Sequence, residues 1–337
     1  MIGIGVIGCG YWGPNLLRNF YELESCRLTW CCDARPERLR WVQGRYPTVR
    51  TTTSWEELLR APDVQAVAIA TPVSTHARLA REALRRGKDV LVEKPLTASV
   101  REAEALVALA EQERRILMVD HVFVYSGAVR AVKEVIRRGE LGDLYYFDSV
   151  RVNLGLFQHD VNVLWDLAPH DLAIMDYLLE LEPEAVMAVG ACNVGTGIEN
   201  LAYVTIRFAG HLLAHIHVNW LAPVKARRTL LCGSRKMIIY DDTEPSEKVK
   251  VYDRGITFNG DQSLIHQALI EYRTGDMYAP RIEPTEALRR VCGHFLECVE
   301  ARKAPLTDGE AGLRVVRLLE RAEASMRAGG VEQRLVA

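Results

Sequence analysis

The chain has 337 residues, more than one hydrophobic core ordinarily organises, so two domains are expected. Apolar residues make up 49% and charged residues 26%, the balance of an ordinary globular protein and not of a disordered or fibrous one. Forty-two Lys and Arg against 44 Asp and Glu, interspersed along the chain, leave a net charge of −2, with no basic footprint for nucleic acid and no polybasic stretch for a membrane surface.

The opening run MIGIGVIG is too short for a signal peptide, and no stretch is long enough to cross a bilayer; a cytoplasmic protein is expected. The eight cysteines form no C-x-x-C pair and several sit in apolar runs, as Cys31 and Cys32 do, which predicts reduced, buried thiols. IGIGVIG, RLTWCCD, VQAVAIAT, DVLVEK and ILMVD read as strands buried on both faces. Helical patterns at 14–23, 36–45, 55–60, 74–86 and 99–115 alternate with them, the last capped by Ser99. That alternation predicts a doubly wound parallel sheet, an α/β Rossmann domain spanning 1–120.

Gly8, Cys9, Gly10, Tyr11, Trp12 and Gly13 form G-x-G-x-x-G between the first strand and a helix opening at Pro14. Such glycines let backbone approach a pyrophosphate at a helix N-terminus, and Pro14 suits a first turn that has no use for its N–H. The second strand ends in Asp33, followed by Ala34 and Arg35. A carboxylate there accepts both ribose hydroxyls and repels a 2′-phosphate, so NAD is expected over NADP, although Arg35 and Arg38 are of the type that accommodates that phosphate.

Beyond residue 120 the rhythm changes. Helices at 126–138 and 167–180 flank a strand near 143–153. Runs at 185–192, 201–208, 212–220, 228–232, 235–240 and 248–252, joined by short turns, predict a largely antiparallel open sheet, before helices return at 285–301 and 309–327. Residues 121–337 are read as one substrate-binding and oligomerisation domain. His215, His217 and Asn219 of HIHVN share one strand face without an acid or cysteine at ligand spacing, so an exposed or subunit-facing sheet surface is expected and no metal.

EKPLT (93–97), TPVSTH (71–76) and WDLAPHD (165–171) together resemble the glucose–fructose oxidoreductase/inositol dehydrogenase (Gfo/Idh/MocA) family, along essentially the whole chain. The resemblance implies that Lys94, Asp166 and His170 form the catalytic group. It also implies that Thr71, Pro72, His76 and Glu93 line the cofactor, with Lys94 and His121 beside them, and that the chain assembles as a homodimer or homotetramer. The chemistry is coherent without the family: alcohol oxidation needs a base for the hydroxyl proton, which an imidazole supplies, and a cation for the developing alkoxide, which an ammonium supplies. Pro169 restricts its segment to a first helical turn, so Asp166 is alternatively the N-cap of that helix.

GYWGPNLLRNF, VDHVFVY, RVNLGLFQHDVNVLWDLAPHD and EYRTGDMYAPRI resemble the branch of the family that oxidises UDP-N-acetylglucosamine, or its uronic acid, to a 3-keto sugar. In that branch an aminotransferase takes the product toward surface-polysaccharide or lipid A precursors. Arg151, Asn153, Arg273 and Arg281 are the expected polar contacts to such a substrate, with Phe123, Tyr125 and Tyr278 packing on sugar or base. Alternatives are a dehydrogenase or reductase of another sugar, polyol or keto-deoxysugar, and a catalytically silent NAD-binding sensor or scaffold.

Overall fold

Six short strands build the first sheet: β1 (Ile2–Ile7), β2 (Cys26–Cys32), β3 (Arg50–Thr52), β4 (Ala66–Ile69), β5 (Asp89–Glu93) and β6 (Leu117–Asp120). All pair in parallel, in the order β3-β2-β1-β4-β5-β6 of a doubly wound sheet. Ile4, Val6, Ala66, Ala68, Val90 and Val92 are fully buried at 0%, as strands covered by helices on both faces require. The helices are α1 (Gly13–Glu22), α2 (Pro36–Arg45), α3 (Trp55–Arg60), α4 (Val73–Arg85) and α5 (Val100–Gln112). Ser99 caps α5 by accepting the Glu102 N–H at 3.4 Å, as the sequence predicts. The computed structural model describes residues 1–155, 161–195, 197–259 and 269–335; residues 156–160, inside the stretch RVNLGLFQHDVNVLWDLAPHD, lie outside the described residues.

A 3-10 turn (Val122–Tyr125) leads to α6 (Gly127–Arg137), β7 (Leu144–Leu154) and α7 (Val163–Leu179). The second sheet continues with β8 (Pro183–Ala191), β9 (Leu201–Phe208), β10 (Leu213–Asn219), β11 (Leu221–Gly233), β12 (Met237–Asp241), β13 (Val249–Asn259) and β14 (Leu269–Tyr278). After α8 (Ala287–Ala301) and α9 (Gly309–Arg327), β15 (Gln333–Arg334) completes it. The order is β14-β13-β12-β11-β7-β10-β9-β8-β15, antiparallel except between β10 and β7. Ala214, Ile216 and Val218 of β10 are fully buried, while His215, His217 and Asn219 lie on the opposite, partly open face, where His217 stacks on Tyr203 at 4.4 Å.

The chain divides into two compact units, Met1–Tyr125 with Thr285–Glu320, and Ser126–Pro284 with Arg321–Ala337. A single cut after residue 120 therefore fails for α8 and most of α9, which return to the nucleotide-binding unit. Their apolar stripes announce a partner but not which one. The partner is fixed by polar contacts: Val119 N–H donates to the Thr307 carbonyl at 2.8 Å and the Thr307 hydroxyl to the Val119 carbonyl at 2.7 Å, closing the β6 edge. Arg302 grips the buried Asp89 of β5 with two hydrogen bonds of 2.7 and 2.9 Å.

Candidate active site

The β1–α1 turn uses its three glycines differently. Gly8 adopts φ +97°, and any Cβ on it would lie 2.4 Å from the Ala70 carbonyl oxygen. A Cβ on Gly13 would lie 2.1 Å from the Gly8 carbonyl oxygen, so α1 can start against β1 only without a side chain there. Gly10 is open, its nearest neighbour being the Arg35 guanidinium at 3.7 Å from the Cβ position. This is bare backbone facing accessible space at a helix N-terminus, which is what close approach by a dinucleotide pyrophosphate needs. Tyr11 is 87% exposed, whereas Trp12 turns inward and its indole N–H reaches Asp120 at 3.3 Å.

Asp33, at the carboxyl end of β2, is buried and accepts the Cys9 N–H at 2.7 Å and the Arg35 N–H at 2.9 Å. Arg35 also closes on it through Nε at 3.1 Å. Burial pushes the carboxyl up, but the Arg35 and Cys9 hydrogen bonds outweigh it and hold Asp33 below the usual carboxylate range. The acid is thus a fixed anion beside the glycine turn, and Ala34 next to it is exposed. These residues fit the ribose and pyrophosphate of NAD.

Lys94 follows β5 and joins Pro95 through a cis peptide. The Thr71 hydroxyl pairs with Thr75 at 2.6 Å in the turn where Pro72 precedes α4. His76 corrects the expectation: it is 1% exposed and lines no ligand surface. Its Nδ1 lies 2.9 Å from the Pro95 carbonyl and its Nε2 2.8 Å from the Thr71 carbonyl, so it ties the β4–α4 turn to the segment after Lys94. Burial holds its pKa below the ordinary histidine value. Glu93 likewise turns its carboxyl inward, onto Asp120 of β6, and His121 is 2% exposed. Asp120 is the residue that sequence reasoning missed. The signal existed, since ILMVD ends in an acid at a carboxyl edge just as RLTWCCD does.

Phe123 is half-buried in the turn after β6. Tyr125 is a second correction. It is 4% exposed, its hydroxyl meets Thr307 at 3.3 Å and its ring packs on His294 at 5.6 Å, so it belongs to the interior and not to a sugar site.

In the second unit, α7 begins at Val163, four residues earlier than predicted. Asn162, not Asp166, is the N-cap, its side chain accepting the Trp165 N–H at 3.2 Å. Pro169 sits inside the helix, where it removes one donor from the ladder but leaves the strongly buried remainder to hold the segment. Asp166 and His170, one turn apart, are half-buried among Val163, Leu164, Trp165, Ala168 and Pro169, which are buried. The Trp220 indole N–H donates to Asp166 Oδ2 at 3.1 Å and fixes the carboxylate.

Arg151 is a third correction. It is 4% exposed and locked to Asp171 by two hydrogen bonds of 2.6 and 3.2 Å, with Ser149 donating to the same carboxylate at 2.7 Å. A buried, bidentate pair of this kind is a structural commitment, not an anion receptor. Tyr278, 40% exposed, donates to Glu140 at 2.8 Å. Arg273 is exposed on β14 and pairs with Asp253 at 3.0 Å, and Asn153 is half-buried on β7. Among the described residues there is no cluster of three or more potential metal ligands and no helix long and apolar enough to cross a membrane.

Residues 2–121 match an oxidoreductase family described as an NAD-binding Rossmann fold, and residues 129–239 match the GFO/IDH/MocA C-terminal domain. The chain is 28% identical to UDP-N-acetylglucosamine 3-dehydrogenase of Acidithiobacillus ferrooxidans over 93% of both chains. A solved structure of that protein superposes with a TM-score of 0.81 at 26% identity, covering 97% of this chain and 99% of the other. Myo-inositol 2-dehydrogenase of Thermotoga maritima is 23% identical over 92% of this chain and 91% of its own.

Proposed function

The chain belongs to the Gfo/Idh/MocA oxidoreductase family, and from that premise we propose that it oxidises the 3-hydroxyl of UDP-N-acetylglucosamine, or of its uronic acid, to a 3-keto nucleotide sugar. The observation that carries the substrate is the end-to-end similarity, in sequence and in fold, to an enzyme named for that reaction. When bound, NAD supplies the hydride acceptor. The open backbone at Gly10 would hold its pyrophosphate and Asp33 its ribose.

The chain's own residues then divide the work. His170 takes the hydroxyl proton, a task suited to an imidazole near neutral pH. Lys94 holds the same oxygen and stabilises the negative charge that grows on it. Asp166, steadied by the Trp220 indole, keeps a carboxylate one turn from His170 and favours the protonated imidazole that forms. Arg273 and Asn153 are the polar residues this reading keeps for the nucleotide sugar. A 3-ketone is the group an aminotransferase converts to an amine, and consumption by such an enzyme in the cytoplasm belongs to the same reading. So does assembly as a homodimer or homotetramer, for which Met187, Val189 and Tyr203, 40–48% exposed on β8 and β9, offer apolar surface.

Binding energy from the remote nucleotide is what positions the reacting sugar. Isothermal titration with uridine diphosphate should therefore give measurable heat, and free N-acetylglucosamine should be turned over poorly. No heat with any uridine nucleotide, beside good turnover of a free polyol, would replace the nucleotide sugar by a polyol as substrate.

A further inference from the structure

Glu93 and Asp120 end neighbouring parallel strands as direct register partners. Asp120 is 1% exposed, and Glu93 Oε1 and Asp120 Oδ1 are both sealed from solvent. No donor of the described residues reaches either oxygen, and the parallel register sets the two acids side by side. The Trp12 indole donates to the other oxygen of Asp120 at 3.3 Å. Two carboxylates offer only acceptors and repel one another, so a buried neighbouring pair whose oxygens lack donors is relieved by a proton between them.

We propose that Glu93 and Asp120 share one proton, and that the single negative charge left on the pair, anchored by the Trp12 indole, positions the ammonium of Lys94. Each group around the pair is consistent with this. Burial and the neighbouring Asp120 push Glu93 well above the usual carboxylate range, and Lys94 pulls both acids back down. His121 is neutral, forced down to about 3 by burial and by Lys94. The Cys292 thiol of α8 and the Tyr125 hydroxyl are pushed up by burial, with Asp120 adding to both shifts, so neither brings a charge. Lys94 is the cation that both acids feel.

The functional half of this inference rests on reading Lys94 as the residue that holds the reacting oxygen; the proton half does not. Charge counting gives an unusual expectation. Glu93→Gln leaves an ionised Asp120, and Asp120→Asn leaves a Glu93 that no longer needs its proton, so each single variant keeps one negative charge. Only the double variant keeps none.

The test uses the full chain without cofactor. Infrared spectra at neutral pH should show the carbonyl stretch of a buried protonated carboxyl in the wild type, missing from both single variants. The Lys94 ε-carbon resonance, assigned by its loss in Lys94→Arg, should titrate alike in wild type and single variants. In the double variant it should titrate lower, the direction expected when a neighbouring opposite charge is lost. Glu93→Gln with Asp120→Ser replaces the double amide variant if that one does not fold. A wild type without the carboxyl band overturns the shared proton, and a double variant titrating with the wild type overturns the positioning role. Neither readout needs turnover, so failure of the nucleotide-sugar reading would leave both standing.

Discussion

Alanine at Gly10 and alanine at Gly13 should separate cofactor binding from folding. At Gly13 the new methyl would lie 2.1 Å from the Gly8 carbonyl oxygen, more than an ångström inside van der Waals contact, and the obstacle is backbone. Relieving it forces α1 away from β1, at the cost typical of overpacking, about 1–3 kcal/mol. For a unit of this size that lowers the melting temperature by several degrees, at roughly 2–4 °C per kcal/mol. At Gly10 the methyl meets nothing nearer than Arg35 at 3.7 Å, and the backbone there needs no left-handed conformation. Gly10→Ala should melt with the wild type or slightly above it, because a less flexible unfolded chain is worth about 0.4–1 kcal/mol. Yet a pyrophosphate held on that backbone, as proposed, would meet the methyl. The dissociation constant for NADH, followed by its fluorescence, should rise at least tenfold, about 1.4 kcal/mol. A Gly10→Ala protein that binds NADH as the wild type does, or a Gly13→Ala protein that melts with it, refutes this reading of the turn.

Two further outcomes follow from buried charge. Asp171→Ala strands Arg151 in the interior and should cost about 3–5 kcal/mol in denaturant unfolding; Arg151→Met in the same chain should recover most of it, since replacing both charges removes the uncompensated one. His121 has a folded pKa depressed to about 3 against an ordinary value of 6.5, so the unfolded chain binds the extra proton between those limits. Stability is then full above about pH 6.5 and falls as pH drops toward 3, by about 1.4 kcal/mol per unit for this one group. His121→Gln should flatten that slope by one proton in unfolding free energies measured from pH 7 to 5, and an unchanged slope would contradict it.

Much of the nucleotide-binding unit is legible in the sequence because its strands are continuous apolar runs and its helices carry caps and stripes. Only β3 escapes there: Arg50–Thr52 is three residues long and half exposed, with no apolar content to mark it. The second sheet is legible in kind but not in extent, since β11 and β13 run well beyond their apolar portions, held by pairing to neighbours that periodicity does not reveal. The site residues divide along a physical line. Gly8, Gly10, Gly13 and Asp33 are fixed by local backbone geometry, and the strand–turn–helix setting that the sequence predicts for them is the one found. Arg151, Tyr125 and His76 have the right chemistry for ligands, but Asp171, Thr307 and the Pro95 carbonyl claim them, partners 19 to 182 residues away along the chain that no local pattern predicts. Asn162 took the capping role offered to Asp166 because buried Val163, Leu164 and Trp165 extend α7 backwards past the proline.

The proposed reaction stands or falls on NADH formation from UDP-N-acetylglucosamine and NAD in wild type and in His170→Asn, with the product identified as the 3-ketone. The wild type should turn the nucleotide sugar over. Turnover in the variant should fall by about 10²–10⁴, the range general-base catalysis supplies, with melting temperature and NADH affinity unchanged. A folded His170→Asn that keeps more than about a tenth of the rate while chemistry limits turnover, or a wild type that oxidises a free polyol but no uridine sugar, contradicts it.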